Sequence, residues 1–311
     1  MATIEAVIAR GSVRALPRRV IGEPEEPLAE SAPLAWAEAP RRCVPDPETG
    51  DTCFWYHRVW QYLRLLGIIS STRTNTDFLV GTFRKYARTG HYPRALVSAT
   101  ADYSMLAHLR CAYVAESALL DATVIDRCET ALSLNRWYAS RYEFPVTTAR
   151  TNILDYQSER RFDLVCTHNF LSRFDLDSRR RLVARWHALL RPDGIVVTTQ
   201  RVQSNQTAAH NVIAEDEAQE LSRRAAAAAR AYPQRLDVDP EELAIAVYEF
   251  AIRKRSYPIR TMREIVDLFE VQGFDVELAD EGGGAAERAR DRPTRKHGAG
   301  SYRMRVVARR R

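Results

Sequence analysis

Three polar clusters in this 311-residue chain lie where apolar runs break off, and each is of a type that can do chemistry. The run "ATVID" ends on Asp126, and "FDLVCTHNF" ends on Thr167, His168 and Asn169. "RALVSATADYS" passes from an apolar run into a helix through small and hydroxylic residues with no glycine. A carboxylate such as Asp126 accepts from both hydroxyls of a diol at once. An imidazole such as His168 titrates near physiological pH and can take a proton as a general base. Asn169 beside it, and Tyr103 from the start of the next helix, could orient a carboxylate or an amine. With Asp102 as N-cap and Ser104 in the first turn, the helix would present backbone N–H groups that suit a ligand carboxylate. The alternatives are structural: a plain helix N-cap for Asp126, and a hydrogen-bonded loop histidine for His168.

Strands and helices alternate around these clusters. "RALVSA", "ATVID" (122–126), "VTTARTNI" (146–153), "FDLVCTHNF" (162–170) and "IVVTTQ" (195–200) are short apolar strand patterns separated by helical ones. Strands of that kind belong to a parallel sheet covered on both faces. "DVELAD" and "SYRMRVVARR" add two closing strands and make one edge mixed. The expected fold is therefore α/β, a doubly wound, mostly parallel, seven-stranded sheet. Ligands in such sheets sit beyond the carboxyl ends of the strands, where strand order reverses. Asp126 lies about two dozen residues beyond the first strand–helix junction, a spacing at which Rossmann-like folds place a carboxylate on ribose.

Outside the sheet, residues 1–50 read as an extended or disordered arm. Seven of the fourteen prolines fall within 17–47, where no apolar periodicity is evident, and Trp36 is the one large apolar anchor. Residues 51–92 read as a helical cap. Trp55, Val59, Tyr62, Leu63 and Leu66 recur at helical spacing before Gly67, and Phe78, Leu79, Phe83 and Tyr86 before Gly90. The stripe of Trp55, Tyr56, Trp60 and Tyr62 is either core or a substrate box; Tyr56, His57 and Trp60 are its substrate-binding candidates. Residues 93–311 form the sheet domain, with a helical insertion at about 206–253.

The succession "RALVSATADYS", "ATVIDR", "TNILDY", "FDLVCTHNF" and "LLRPDGIVVTT" resembles the class I S-adenosylmethionine-dependent methyltransferases. The resemblance covers residues 92–202 and extends through the last two strands. It implies a Rossmann-like methyltransferase sheet with S-adenosyl-L-methionine as cofactor. By that resemblance the loop carrying Ser98, Ala99, Thr100, Ala101 and Ser104 contacts the methionine half. Asp126, followed by Arg127, holds the ribose; Asn152 and Ile153 meet the adenine; Thr167 completes the cofactor set.

The first loop departs from the family pattern of an acid followed by alternating glycines: Ser98 stands at the acid, and Thr100, Asp102 and Ser104 at the glycines. Methyl transfer to a small molecule is the family default. A carboxylate near the cofactor's amine keeps that amine an ammonium. Ser98 in its place opens non-methylating chemistry, either cyclisation to azetidine-2-carboxylate or 3-amino-3-carboxypropyl transfer, both releasing methylthioadenosine. A catalytically inactive or RNA-binding methyltransferase-like protein is the remaining alternative.

Composition narrows the partners. The formal net charge is +6 and lysine occurs only at Lys85, Lys254 and Lys296, so the basic balance is almost all arginine. The sequence lacks the interleaving of aromatic and basic residues that single-strand readers use, which argues against nucleic acid. No long apolar span or signal-peptide pattern is present, so a cytoplasmic, non-membrane monomer or homodimer is expected. Cys43, Cys53, Cys111, Cys128 and Cys166 have no CxxC spacing and the histidines are scattered, so no metal site is expected. No GxSxG elbow is found.

Overall fold

The computed structural model describes Pro24 and residues 27–46, 50–69, 71–234, 236–282 and 301–311. Seven strands form one sheet in the order β3-β2-β1-β4-β5-β7-β6. They are β1 (Arg94–Ser98), β2 (Asp121–Asp126), β3 (Val146–Arg150), β4 (Phe162–His168), β5 (Leu190–Gln203), β6 (Phe274–Gly282) and β7 (Ser301–Arg310). β1 to β5 pair in parallel, and β7 runs antiparallel to both β5 and β6. The expected mostly parallel sheet with a mixed edge is the sheet observed, although β5 begins five residues before the expected run, at Leu190 instead of Ile195.

Both faces are covered, as the apolar strand runs require. On one face α3 (Thr76–Arg88), α4 (Ser104–Ala115) and α5 (Glu129–Arg141) bury Leu79, Phe83, Leu106, Leu132 and Tyr138 over Val97, Val124 and Leu164. On the other, α6 (Leu176–Leu189) and α9 (Met262–Val271) bury Leu182, Trp186, Ile265 and Phe269 over Leu96, Val165 and Val196. A third cluster sits above the carboxyl ends of the strands. There α2 (Phe54–Leu65) packs Val59, Tyr62 and Leu63 against Ala225 of α7 (Glu215–Ala231) and Leu243 and Phe250 of α8 (Pro240–Arg253).

The arm needs correction. Residues 28–42 are not extended but form α1 (Leu28–Arg42), with Pro33 and Pro40 inside the helix. Interior prolines remove backbone donors and disfavour a helix. Here burial outweighs that cost, because Leu28, Ala32, Ala35 and Ala39 recur on one face and are all buried. That stripe is helical in period but built mostly of alanine, so it escapes a search for large apolar residues. Trp36 does act as an anchor, edge-on to Tyr62 at 5.8 Å and under the Arg58 guanidinium at 3.7 Å. Residues 1–23 of the expected arm, and 283–300 of the expected Gly-rich loop, lie outside the described residues.

Candidate active site

Strand order reverses between β1 and β4, and a cavity of about 460 Å³ opens beyond their carboxyl ends. Its floor is the turn after β1 (Ala99, Thr100, Ala101), with Asp126 from the end of β2 and His168 and Asn169 from the end of β4. Its roof is α2, which supplies Tyr56, His57, Trp60 and Arg64, with Phe250 from α8. That volume lies within the range of about 300–1,000 Å³ usual for small-molecule sites.

The glycine-free turn is held by Asp126. Ala99 adopts a left-handed φ of 63°, a conformation that costs a non-glycine residue about 1–2 kcal/mol. The Ala99 N–H donates to the Ile125 carbonyl at 2.9 Å. The Thr100 N–H donates to Asp126 Oδ2 at 3.0 Å and the Cys128 N–H to Oδ1 at 2.7 Å. Each carboxylate oxygen therefore keeps a lone pair for a further donor. Burial pushes the Asp126 carboxyl up to about 6, against the opposing pull of His57 and the two backbone donors.

The start of α4 is fastened to the cap. Asp102 Oδ1 accepts from the Ser104 N–H at 2.8 Å, and Asp102 Oδ2 is paired with Arg64 of α2. Ser104 Oγ lies 2.7 Å from Thr72 Oγ1, and His108 Nε2 lies 3.0 Å from Thr76 Oγ1. The cap thus shapes the turn as well as covering it.

Several side chains lining the cavity are cationic. Arg201 of β5 and Arg303 of β7 are register partners, and both line the cavity together with Arg173 and Lys254. Burial, then the charges of Arg303 and its neighbours, hold His168 well below the usual imidazole range, so it is neutral at physiological pH. Its Nε2 is buried and has no hydrogen-bond partner among the described residues. Asn169 takes a left-handed φ of 51°, and its Oδ1 accepts from the Arg201 N–H at 3.0 Å.

Of the candidates from sequence, the cavity gathers Tyr56, His57, Trp60, Ala99, Thr100, Ala101, Ser104, Asp126, His168 and Asn169. The remaining candidates lie elsewhere. Tyr103 is fully buried, stacked on Tyr138 at 4.7 Å and within 3.3 Å of Ser31 Oγ, so it orients no ligand. Ser98 is fully buried and accepts from Trp186 Nε1 at 2.9 Å. Thr167 and Ile153 belong to the core. Asn152 closes a local turn by accepting from the Leu154 N–H at 3.1 Å, and the exposed Arg127 pairs with Asp46. The sequence reading missed Arg64, Arg173, Arg201, Lys254 and Arg303. For Arg201 and Arg303 a signal existed, since each is a charged residue inside or just beyond an apolar strand pattern at the ligand-binding end of the sheet.

No protein-family model matches the chain, and no curated protein matches it. Solved structures do. An S-adenosylmethionine-dependent methyltransferase from Clostridium acetobutylicum is similar at 9% identity with a TM-score of 0.50, over 80% of this chain and 96% of that one. The 1,6-didemethyltoxoflavin N1-methyltransferase of Burkholderia thailandensis is similar at 17% identity with a TM-score of 0.44, over 75% of this chain and 78% of that one. The N-methyltransferase NodS of Bradyrhizobium japonicum follows at 13% identity with a TM-score of 0.42, over 74% and 85%. At these identities the likeness is one of fold: the chain has the Rossmann-like methyltransferase fold.

Proposed function

We propose that the chain is an S-adenosyl-L-methionine-dependent transferase that passes a methyl group to a small, negatively charged acceptor. The observation that carries this reading is the position of Asp126. It ends β2, the strand beside the β1/β4 switch point, and lines the cavity with a lone pair left on each carboxylate oxygen. That geometry suits the two ribose hydroxyls, and the Ala99–Ala101 turn leaves the backbone approachable beside them. When bound there, the cofactor supplies an electrophilic methyl group on a sulfonium.

The chain's own residues do the rest. Arg173, Arg201, Lys254 and Arg303 favour an acceptor with a carboxylate or comparable anion, since cations grouped in a partly desolvated cleft attract negative charge. His168, held neutral and with its Nε2 unpartnered, is the candidate to accept a hydrogen bond from the acceptor's nucleophilic group. Tyr56 and Trp60, stacked at 5.0 Å, form an aromatic wall that orients the acceptor and excludes water.

A second reading is favoured by the surroundings of the turn. Ser98, at the family's acid position, is turned away onto Trp186, and Asp102 is compensated by Arg64. Neither then holds the cofactor's amine as an ammonium. In the neutral form that nitrogen can attack the γ-carbon; the carbon–sulfur bond breaks, methylthioadenosine leaves, and the nitrogen loses a proton.

Mass spectrometry separates the readings. The protein is incubated with S-adenosylmethionine alone, and then with a panel of small hydroxy- and amino-carboxylic acids. S-Adenosylhomocysteine formed only with an acceptor supports methyl transfer. Methylthioadenosine formed without one supports the second reading. No heat of binding for the cofactor by calorimetry overturns both.

A further inference from the structure

Three of the five cysteines, which show no ligand spacing in the sequence, come together in space. Cys43 follows α1, Cys53 precedes α2, and Cys128 lies between Asp126 and α5. Their sulfurs all lie within 4.8 Å of one another, with Cys43 and Cys128 at 3.5 Å. A tetrahedral zinc with Zn–S bonds of about 2.3 Å separates its sulfur ligands by about 3.8 Å.

A fourth donor stands beside them. His57 is four residues after Cys53 and therefore on the same face of α2. Its ring lies beside Cys53 and Cys128, outside the 4.8 Å within which the three sulfurs gather. His57 is 7% exposed, Cys43 7% and Cys128 5%, while Cys53 is half-buried at the cavity edge. The His57 Nδ1 is buried with no hydrogen-bond partner, an arrangement that costs free energy unless something binds it. Ala39 and Phe54 pack against the cysteines, and Cys43 Sγ also lies 3.2 Å from Thr130 Oγ1.

We propose that Cys43, Cys53, Cys128 and His57 form a closed, structural zinc site. Four protein donors leave no open coordination position, so the metal has a structural part and no catalytic one. Binding releases thiol protons to solvent. The metal ties three segments distant in sequence to one point: the end of α1, the start of the cap helix and the tip of β2. The Cys128 N–H donates to Asp126 Oδ1, so the site also fixes the turn that presents Asp126 to the cavity.

The full-length protein, purified under reducing conditions after expression with added zinc, is the material for the test. Elemental analysis is expected to find one zinc per chain, released in parallel with titration of the thiols by a mercurial. Replacing zinc by cobalt is expected to give thiolate charge-transfer and tetrahedral ligand-field bands. Cys128→Ser and Cys53→Ser should lose the metal, whereas Cys111→Ser and Cys166→Ser should keep it. Should the first two variants fail to fold, the cobalt spectrum of the unaltered protein still decides. Absence of zinc together with absence of the cobalt bands overturns the proposal. So does a mass lower by two hydrogens that maps to a Cys43–Cys128 disulfide in metal-supplemented protein.

Discussion

Arg64 and Asp102 are buried against each other beneath the cap, their side chains 1% and 2% exposed. One comes from α2, the other from the turn leading into α4, and their pairing joins the cap to the floor of the cavity. A buried pair adds little net stability, but breaking it strands a charge. Arg64→Met is expected to lower unfolding free energy by about 3–5 kcal/mol, read from urea denaturation. Adding Asp102→Asn should recover part of that loss. A loss well under 1 kcal/mol in the single variant would mean that the pair is hydrated in solution.

Asp126 is expected to act through the cofactor. Asp126→Asn removes the charge and keeps one acceptor oxygen, so one of the two backbone donors, Thr100 N–H or Cys128 N–H, is left facing an amide NH2. Hydrogen bonds to charged groups are worth about 1.5–3 kcal/mol, which is roughly ten- to a hundredfold in Kd. Calorimetric titration with S-adenosylmethionine measures it, and an unchanged Kd would remove Asp126 from the ribose.

Ser98 is expected to matter for stability and not for binding. Ser98→Ala leaves the Trp186 indole N–H buried without an acceptor, at a cost of about 1–3 kcal/mol. Denaturation should register that cost while cofactor affinity stays at the parent value. Weakened binding with unaltered stability would return Ser98 to the site.

The left-handed Ala99 predicts a stabilising change. Ala99→Gly relieves about 1–2 kcal/mol of steric cost and gives back about 0.4–1 kcal/mol through the freer unfolded chain. A small rise in melting temperature follows. A fall would show that the alanine methyl is needed for packing at the turn.

The sheet was legible because its signals are local. Apolar runs such as "LVS", "TVI" and "LVC" must be buried on both faces wherever the chain goes, and helices between them follow from the 3.6-residue period. Asp126, His168 and Asn169 were legible for the same reason: a polar residue ending such a strand is delivered to the same edge of the sheet. α1 was not, because a helix built on Leu28, Ala32, Ala35 and Ala39 gains its stability from α2 and α5 and not from its own proline-containing sequence.

Within one turn of chain the limits of local reasoning are plain. Asp102, Tyr103 and Ser104 are adjacent in sequence, yet two line the cavity and Tyr103 is driven into the core by the ring of Tyr138. The polar strand ends and the alternation of strands with helices followed from residue types and their spacing, since periodic burial is a property of neighbouring residues, whereas the order of the strands did not. The Arg64–Asp102 pair, the facing Arg201 and Arg303, and the meeting of Cys43, Cys53, Cys128 and His57 join residues far apart along the chain. Their meeting depends on how helices dock and strands register, and burial in that docking sets the charge and proton affinity of each group.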